Sequence, residues 1–190
     1  MDDLEFESFF EDEATSIEAH FLEKEVKDVI FGMENKAPGP DGFSLAFFQA
    51  CWEVLKKDIM IVFSNFHAPS KFEKSLNSTF ISLIPKVSGV VDLKDFRPIS
   101  LVSGIYKIIS KVLANKLRLV MSRIISTPQN AFVKGRQILD SVFIASESLD
   151  FHLKSRDLGL LCKLDMEKAY NHVSWDFLLY MLRRCGFGQK

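Results

Sequence analysis

In the stretch LCKLDMEKAYNHVSW, residues 161–175, a short apolar run over Leu160–Leu164 rises to Asp165. Tyr170 follows five positions later, and Ser174 has the chemistry of a helix N-cap. A carboxylate ending an apolar strand is oriented by the sheet and reaches its edge. There it suits Mg²⁺, which takes one or two protein carboxylates and completes its shell with water and phosphate oxygens. The same side chain could instead cap the next turn or pair with Lys163 or Lys168. Phosphoryl transfer by two metals needs ions about 4 Å apart, held by more than one carboxylate. No Asp-Asp pair follows Asp165.

Other chemistries find less support. KAPGPDGF, 36–43, lacks the GxxxxGK[ST] spacing of a phosphate loop; Pro40-Asp41-Gly42 is instead the chemistry of a tight turn. There is no Gly-x-Ser-x-Gly stretch for a hydrolase nucleophile. His20, His67, His152 and His172 stand apart in sequence, and Cys51, Cys162 and Cys185 have no metal-site spacing. The cysteines read as reduced, mostly buried thiols of an intracellular protein. No apolar run reaches the 18 residues of a membrane span, and the acidic start, MDDLEFESFFEDEA, is unlike a signal peptide. The net charge of −1 is unevenly spread: residues 1–50 carry 13 acids against three lysines, whereas residues 51–190 carry 21 Lys and Arg against 12 acids. The basic remainder fits either a surface that meets phosphates or an ordinary solvated face.

These residues need elements to position them. Residues 1–20 are charged and unpatterned, and are expected to be loosely ordered. Leu22, Val26, Val29, Ile30 and Met33 follow helical spacing up to Gly32. A second helix is predicted from Ser44, with the stripe Phe48, Trp52, Leu55, Ile59, Val62, Phe63 and Phe66, ahead of Pro69. STFISLIPK, 78–86, and FRPISL, 96–101, read as two extended runs able to pair as a long-looped β-hairpin. The longest helix carries Ile105, Ile108, Ile109, Val112, Leu113, Leu117, Val120, Met121 and Ile124, and closes before Pro128. Another covers 137–154, with Ile138, Val142, Ala145, Leu149 and Leu153 inward. A strand over 160–165 and a helix from Ser174 to about Cys185, with Gly186 as its C′ residue, end the chain.

Six blocks in fixed order, KAPGPDGF, LIPK, DFRPISL, YKIISKVLANKL, QNAFVKGRQILD and KLDMEKAYNHVSW, resemble the reverse transcriptase domain of LINE-type, non-LTR retrotransposons, especially the plant elements. The resemblance covers about residues 22–190. It implies an α+β, right-hand polymerase architecture: fingers over 21–154, mostly helical with one β-hairpin, then the first part of the palm over 155–190. In such enzymes Asp165 would be the catalytic acid that binds two Mg²⁺ ions, with Met166 adding its backbone carbonyl. Tyr170 resembles the steric gate that selects deoxynucleotides. Lys86 and Arg97, flanking the hairpin loop, would bind the incoming triphosphate, the arginine by its bidentate fork. Lys134 and Arg136, around Gly135, resemble a fingers motif near template and nucleotide; stabilising their own loop is an equal alternative.

The resemblance further implies an RNA template, a DNA primer and dNTP as partners, no membrane, and a nuclear setting. The acid pair that completes the family's metal site lies many tens of residues beyond its first palm motif, and only 25 residues follow Asp165. The expectation is therefore a fragment of an RNA-directed DNA polymerase, inactive alone, with a non-catalytic nucleic-acid-binding remnant as the alternative. Two departures stand out. Asn171-His172 replaces the acid and arginine usual after the aromatic, and Ser141 follows Asp140 where asparagine is common.

Overall fold

The computed structural model describes residues 6–68, 73–155, 159–160, 162, 164 and 169–188. The described elements are α1 (Glu11–Glu18), α2 (Glu23–Gly32), α3 (Leu45–Ala50), α4 (Trp52–His67), β1 (Thr79–Pro85), β2 (Phe96–Val102), α5 (Gly104–Ile124), α6 (Ile138–Ser155) and α7 (Trp175–Arg184). Short 3₁₀ turns lie at Lys74–Asn77, Leu93–Asp95 and Ala169–His172. This is the mixed helical architecture with one antiparallel hairpin that the α+β reading anticipates. The chain forms two compact units, Ala19–Asn115 and Met1–Glu18 with Lys116–Gln189, so the division falls inside α5.

The unit of residues 19–115 holds the continuous core. Val26, Val29 and Ile30 of α2 meet Leu45 and Phe48 of α3, Trp52, Ile59 and Phe63 of α4, and Ile108, Ile109 and Val112 of α5. Each stripe recurs at three or four residues, so one face of each helix turns inward, and burying each such side chain contributes roughly 1.5–3 kcal/mol. The stretch expected as one helix from Ser44 is two. Cys51 leaves helical geometry (φ −97°, ψ 12°); its N–H closes α3 on the Phe47 carbonyl at 2.9 Å, and its own carbonyl opens α4 by accepting from Leu55 N–H at 3.0 Å. The inward stripe survives the break because Phe48 and Trp52 remain four residues apart. Gln49 ties α2 to this pair, donating from Nε2 to the Ile30 and Met33 carbonyls at 2.8 and 3.1 Å.

The unit of residues 1–18 and 116–189 is built differently. The acidic start, expected to be loosely ordered, forms α1, and Phe9 is buried. Aromatic anchoring offsets the charge: the Phe9 ring meets Phe187 edge-on at 4.8 Å, and Phe9 N–H donates to the Cys185 carbonyl at 3.2 Å. α7 has the expected limits. Ser174 Oγ accepts from Phe177 N–H at 3.3 Å, and Gly186, at φ 105°, closes the C-terminus. α6 departs from expectation, because none of its residues is buried: Ile138, Val142, Leu149 and Leu153, read as inward, are all exposed. Of the strand expected over 160–165, Leu160, Cys162 and Leu164 show no strand pairing and are exposed; 161, 163 and 165 lie outside the described residues.

Candidate nucleotide- and template-facing site

Three pieces of the chain carry the sequence-derived site residues, each with its own supports. The first is the hairpin. β1 and β2 pair antiparallel with Ile84 opposite Arg97 and Pro85 opposite Phe96. The pairing extends by one step, as Lys86 N–H donates to the Asp95 carbonyl at 2.9 Å. Side chains alternate across a strand, so Lys86, Ile84 and Arg97 share one face at the loop end. The Lys86 ammonium folds back onto the loop and donates to the Lys94 carbonyl at 2.7 Å. Lys94 itself pairs with Asp92 at 3.2 Å. Arg97 is exposed, and among the described residues its guanidinium has no hydrogen-bond or ion-pair partner. Hairpin closure therefore gathers Lys86, Lys94 and Arg97 at one end, with the only fork-shaped donor still open to an anion.

The hairpin continues directly into α5, and the KAPGPDG loop fixes that junction. Gly42 N–H donates to the Gly39 carbonyl at 3.0 Å, closing the tight turn with proline second and glycine fourth; Gly42 takes φ 73°. Asp41 then reaches across 63 positions, and its Oδ2 accepts from Gly104 N–H, the first residue of α5, at 2.8 Å. Ser103 Oγ accepts from Tyr106 N–H at 3.3 Å and donates to the Leu76 carbonyl at 3.2 Å. A carboxylate and a hydroxyl thus satisfy two amides that the helix start leaves without partners, and the negative charge suits the positive end of the helix dipole. Gly39 lies so close to Val102 and Ser103 that a Cβ there would collide with their backbone. The tight turn read from the sequence is formed, and Gly39 sets it against the end of β2.

The second piece is the QNAFVKGRQ loop between α5 and α6. Arg136 donates from Nη1 to the Ser126 and Gln129 carbonyls at 2.6 and 2.8 Å, and from Nη2 to the Ser122 and Ile125 carbonyls at 3.2 and 3.1 Å. Its positive charge sits on the negative end of α5, where the last carbonyls lack helical partners. These bonds tie the guanidinium to its own loop and to the end of α5. Lys134 is exposed and has no partner among the described residues. Gly135 takes φ 85°, and Phe132 takes φ 65° while fully exposed. Asn130 is buried and donates from Nδ2 to Ser141 Oγ at 2.8 Å, which gives the unusual serine a defined partner.

The third piece surrounds Asp165. Asp165 and Met166 lie outside the described residues, as do Lys163 and Lys168. Tyr170 is exposed within a 3₁₀ turn and meets Trp175 edge-on at 6.2 Å. Among the described residues no three His, Cys, Asp or Glu side chains come together as a metal site. His20 and His67 do meet, with ring centroids 4.0 Å apart, a contact hidden by their separation of 47 positions. Among the described residues no helix is long and apolar enough to cross a membrane.

The family model of the reverse transcriptase (RNA-dependent DNA polymerase) matches residues 84–190, more than half of the chain. Over 154 residues, 81% of the chain, it is 33% identical to the transposon TX1 uncharacterized 149 kDa protein of Xenopus laevis. It is 27% identical over 161 residues, 84% of the chain, to the Pol polyprotein of the type-1 retrotransposable element R2 from Nasonia vitripennis. The R2 polyprotein of Popillia japonica is 23% identical over 170 residues, 87% of the chain. The chain spans 12%, 15% and 22% of the lengths of these relatives. The matched block begins at Ile84, takes in the cationic end of the hairpin and the Arg136 clamp, and runs through Asp165 to the last residue. The chain belongs to the reverse transcriptase family and carries part of the reverse transcriptase domain of a non-LTR retrotransposon.

Proposed function

We propose that this chain supplies the nucleotide- and template-facing part of an RNA-directed DNA polymerase from a LINE-type element, akin to those of plants. The parent would extend a DNA primer on an RNA template with dNTPs in the nucleus. The observation that carries this reading is the open Arg97 guanidinium beside Lys86 at the loop end of the hairpin. Arg97 would take triphosphate oxygens in a bidentate way. Lys86, held to the loop carbonyl, would add charge and keep the loop closed. Lys134 would meet the template backbone, with Arg136 holding the loop that presents it. Tyr170 would stand against the sugar. Mg²⁺, held by Asp165 and the Met166 carbonyl in the parent, would supply charge stabilisation to the transferring phosphate.

The chain alone is proposed not to polymerise, since no Asp-Asp pair follows Asp165 to complete a two-metal site. What remains is binding. The isolated chain should bind single-stranded RNA with an affinity that falls as salt rises. Arg97→Ala should weaken that binding, and Asp165→Ala should leave it unchanged. Binding indifferent to both salt and Arg97→Ala would refute the reading. Primer extension with Mg²⁺ that is lost in Asp165→Ala would show instead that the chain is a complete enzyme.

A further inference from the structure

α1 and the residues before it make a set of contacts that anchoring alone does not explain. Residues 6–18 carry five acids and no lysine or arginine, while residues 116–188 of the same compact unit carry 11 Lys and Arg against seven acids. The segment meets the cations of that unit with two chemical features. The first is an aromatic ring laid over a guanidinium: Arg123 lies 5.0 Å from the Phe10 ring centre, and Arg184 lies 5.2 Å from that of Phe6. The second is a carboxylate: Glu13 Oε1 pairs with Arg123 Nε at 3.2 Å. Phe6 also meets Tyr180 edge-on at 6.0 Å, and Arg184 donates to Tyr180 Oη at 3.0 Å. Lys116 Nζ donates to the Ile17 carbonyl at 3.5 Å.

A flat π-system on a guanidinium with an anion beside it is also what a nucleotide presents. Single-stranded nucleic acid binds by stacking bases on Tyr, Phe and Arg planes and by placing phosphates on cations. Phe6 and Phe10 are four residues apart, so their Cα atoms are at most about 14 Å apart, within reach of a short run of single strand. We propose that residues 6–18 form an intramolecular lock over an RNA-binding surface made by Lys116, Arg123, Tyr180 and Arg184, and that single-stranded RNA competes with the lock for these groups. This rests on the nucleic-acid-binding reading above but concerns residues other than those of the hairpin and the QNAFVKGRQ loop.

Glu13→Gln isolates the charge. Glu13 Oε2 also accepts from Phe10 N–H at 3.1 Å, and the glutamine carbonyl can keep that bond and the helix start. An exposed ion pair is weak, so its loss should tighten RNA binding by about twofold to fivefold. The measurement is fluorescence anisotropy with a short mixed-sequence single-stranded RNA at low salt. In an Arg123→Ala background the same substitution should change nothing. No tightening, or tightening that persists without Arg123, overturns the lock. A second readout follows the Phe9 amide, which is bonded to the Cys185 carbonyl and should exchange faster when RNA displaces the segment. Heparin, a polyanion without bases, serves as the control. If RNA fails to bind anywhere, the nucleic-acid reading falls and the RNA-opened lock falls with it, even if heparin frees the Phe9 amide. If RNA binds and the Phe9 amide stays protected, the lock falls and the nucleic-acid reading stands.

Discussion

α4 and α6 each carry nine apolar side chains, in 16 and 18 residues, yet α4 buries Trp52, Ile59 and Phe63 while α6 buries none. The difference lies in what faces them. α4 meets the stripes of α2 and α5, whose residues 26, 29, 30, 108, 109 and 112 present matching ridges. Among the described residues no comparable stripe covers α6. A helical pattern in sequence specifies a face that can be buried; burial itself depends on a second face supplied from elsewhere. The hairpin makes the same point: Phe80, Leu83, Ile84 and Ile99 are exposed on a two-stranded sheet, an arrangement of marginal stability by itself.

The sharpest way to break this comparison is to cut into the better-built side. Phe63 is fully buried, and Phe63→Ala should cost about 3–5 kcal/mol of stability in the unit of residues 19–115. The two tryptophans allow this unit to be followed separately, since Trp52 sits in its core and Trp175 lies in the other unit. Urea unfolding read by fluorescence in a Trp175→Phe background should show the loss. A cost below about 1 kcal/mol would mean that the core is not packed as described.

Next in size is the Arg136 clamp. Four carbonyls, of Ser122 in the last turn of α5 and of Ile125, Ser126 and Gln129 beyond it, share one guanidinium, so Arg136→Ala should cost about 1.5–3 kcal/mol in the unit that contains it. Arg136→Lys should recover only part, because an ammonium offers three donors and no planar fork. Circular dichroism during urea unfolding would rank the three proteins. Full recovery by lysine would reduce the clamp to a simple charge effect. Smaller again, Asp41→Ala should cost about 1 kcal/mol by removing the α5 cap, and Asp41→Asn should retain most of it. Equal losses from both would show that the carboxylate's charge, rather than its oxygen as an acceptor, holds the helix start.

These supports differ in how far the sequence announces them. The hairpin was legible because two β-branched runs, Pro85 at the end of the first and a polar loop mark it, while the register that sets Ile84 opposite Arg97 came only with the structure. The turn at Pro40-Asp41-Gly42 was legible for the same local reasons, but its hold on Gly104 was not, since nothing in a local pattern names a partner 63 positions away. Arg136 illustrates the limit of motif reading: a guanidinium suits phosphate and carbonyl oxygens equally, and its four carbonyl partners here could not be named from the motif. α1 was hidden by its charge. The signal was there in Phe6, Phe9 and Phe10, three aromatics in an acidic run that a purely solvated tail does not need. Asp165 is marked out by sequence and family alone.

The smallest effect tests the other side of the comparison. Phe143 of α6 is 63% exposed, so its ring loses little water contact on folding. Surface substitutions away from caps and buried groups change stability by no more than about 0.5 kcal/mol. Phe143→Ala should fall within that range, an order of magnitude below Phe63→Ala, although the same atoms are removed from a helix of similar length. The measurement is thermal or urea unfolding followed by circular dichroism at two protein concentrations. A loss above about 1.5 kcal/mol would mean that α6 is covered in solution, because only a buried ring carries a transfer and cavity cost of that size. If the loss grew with protein concentration, the cover would be another copy of the chain, because the stability of an associated state depends on protomer concentration. A small and concentration-independent effect would leave α6 as described, an apolar helix face without a partner stripe among the described residues.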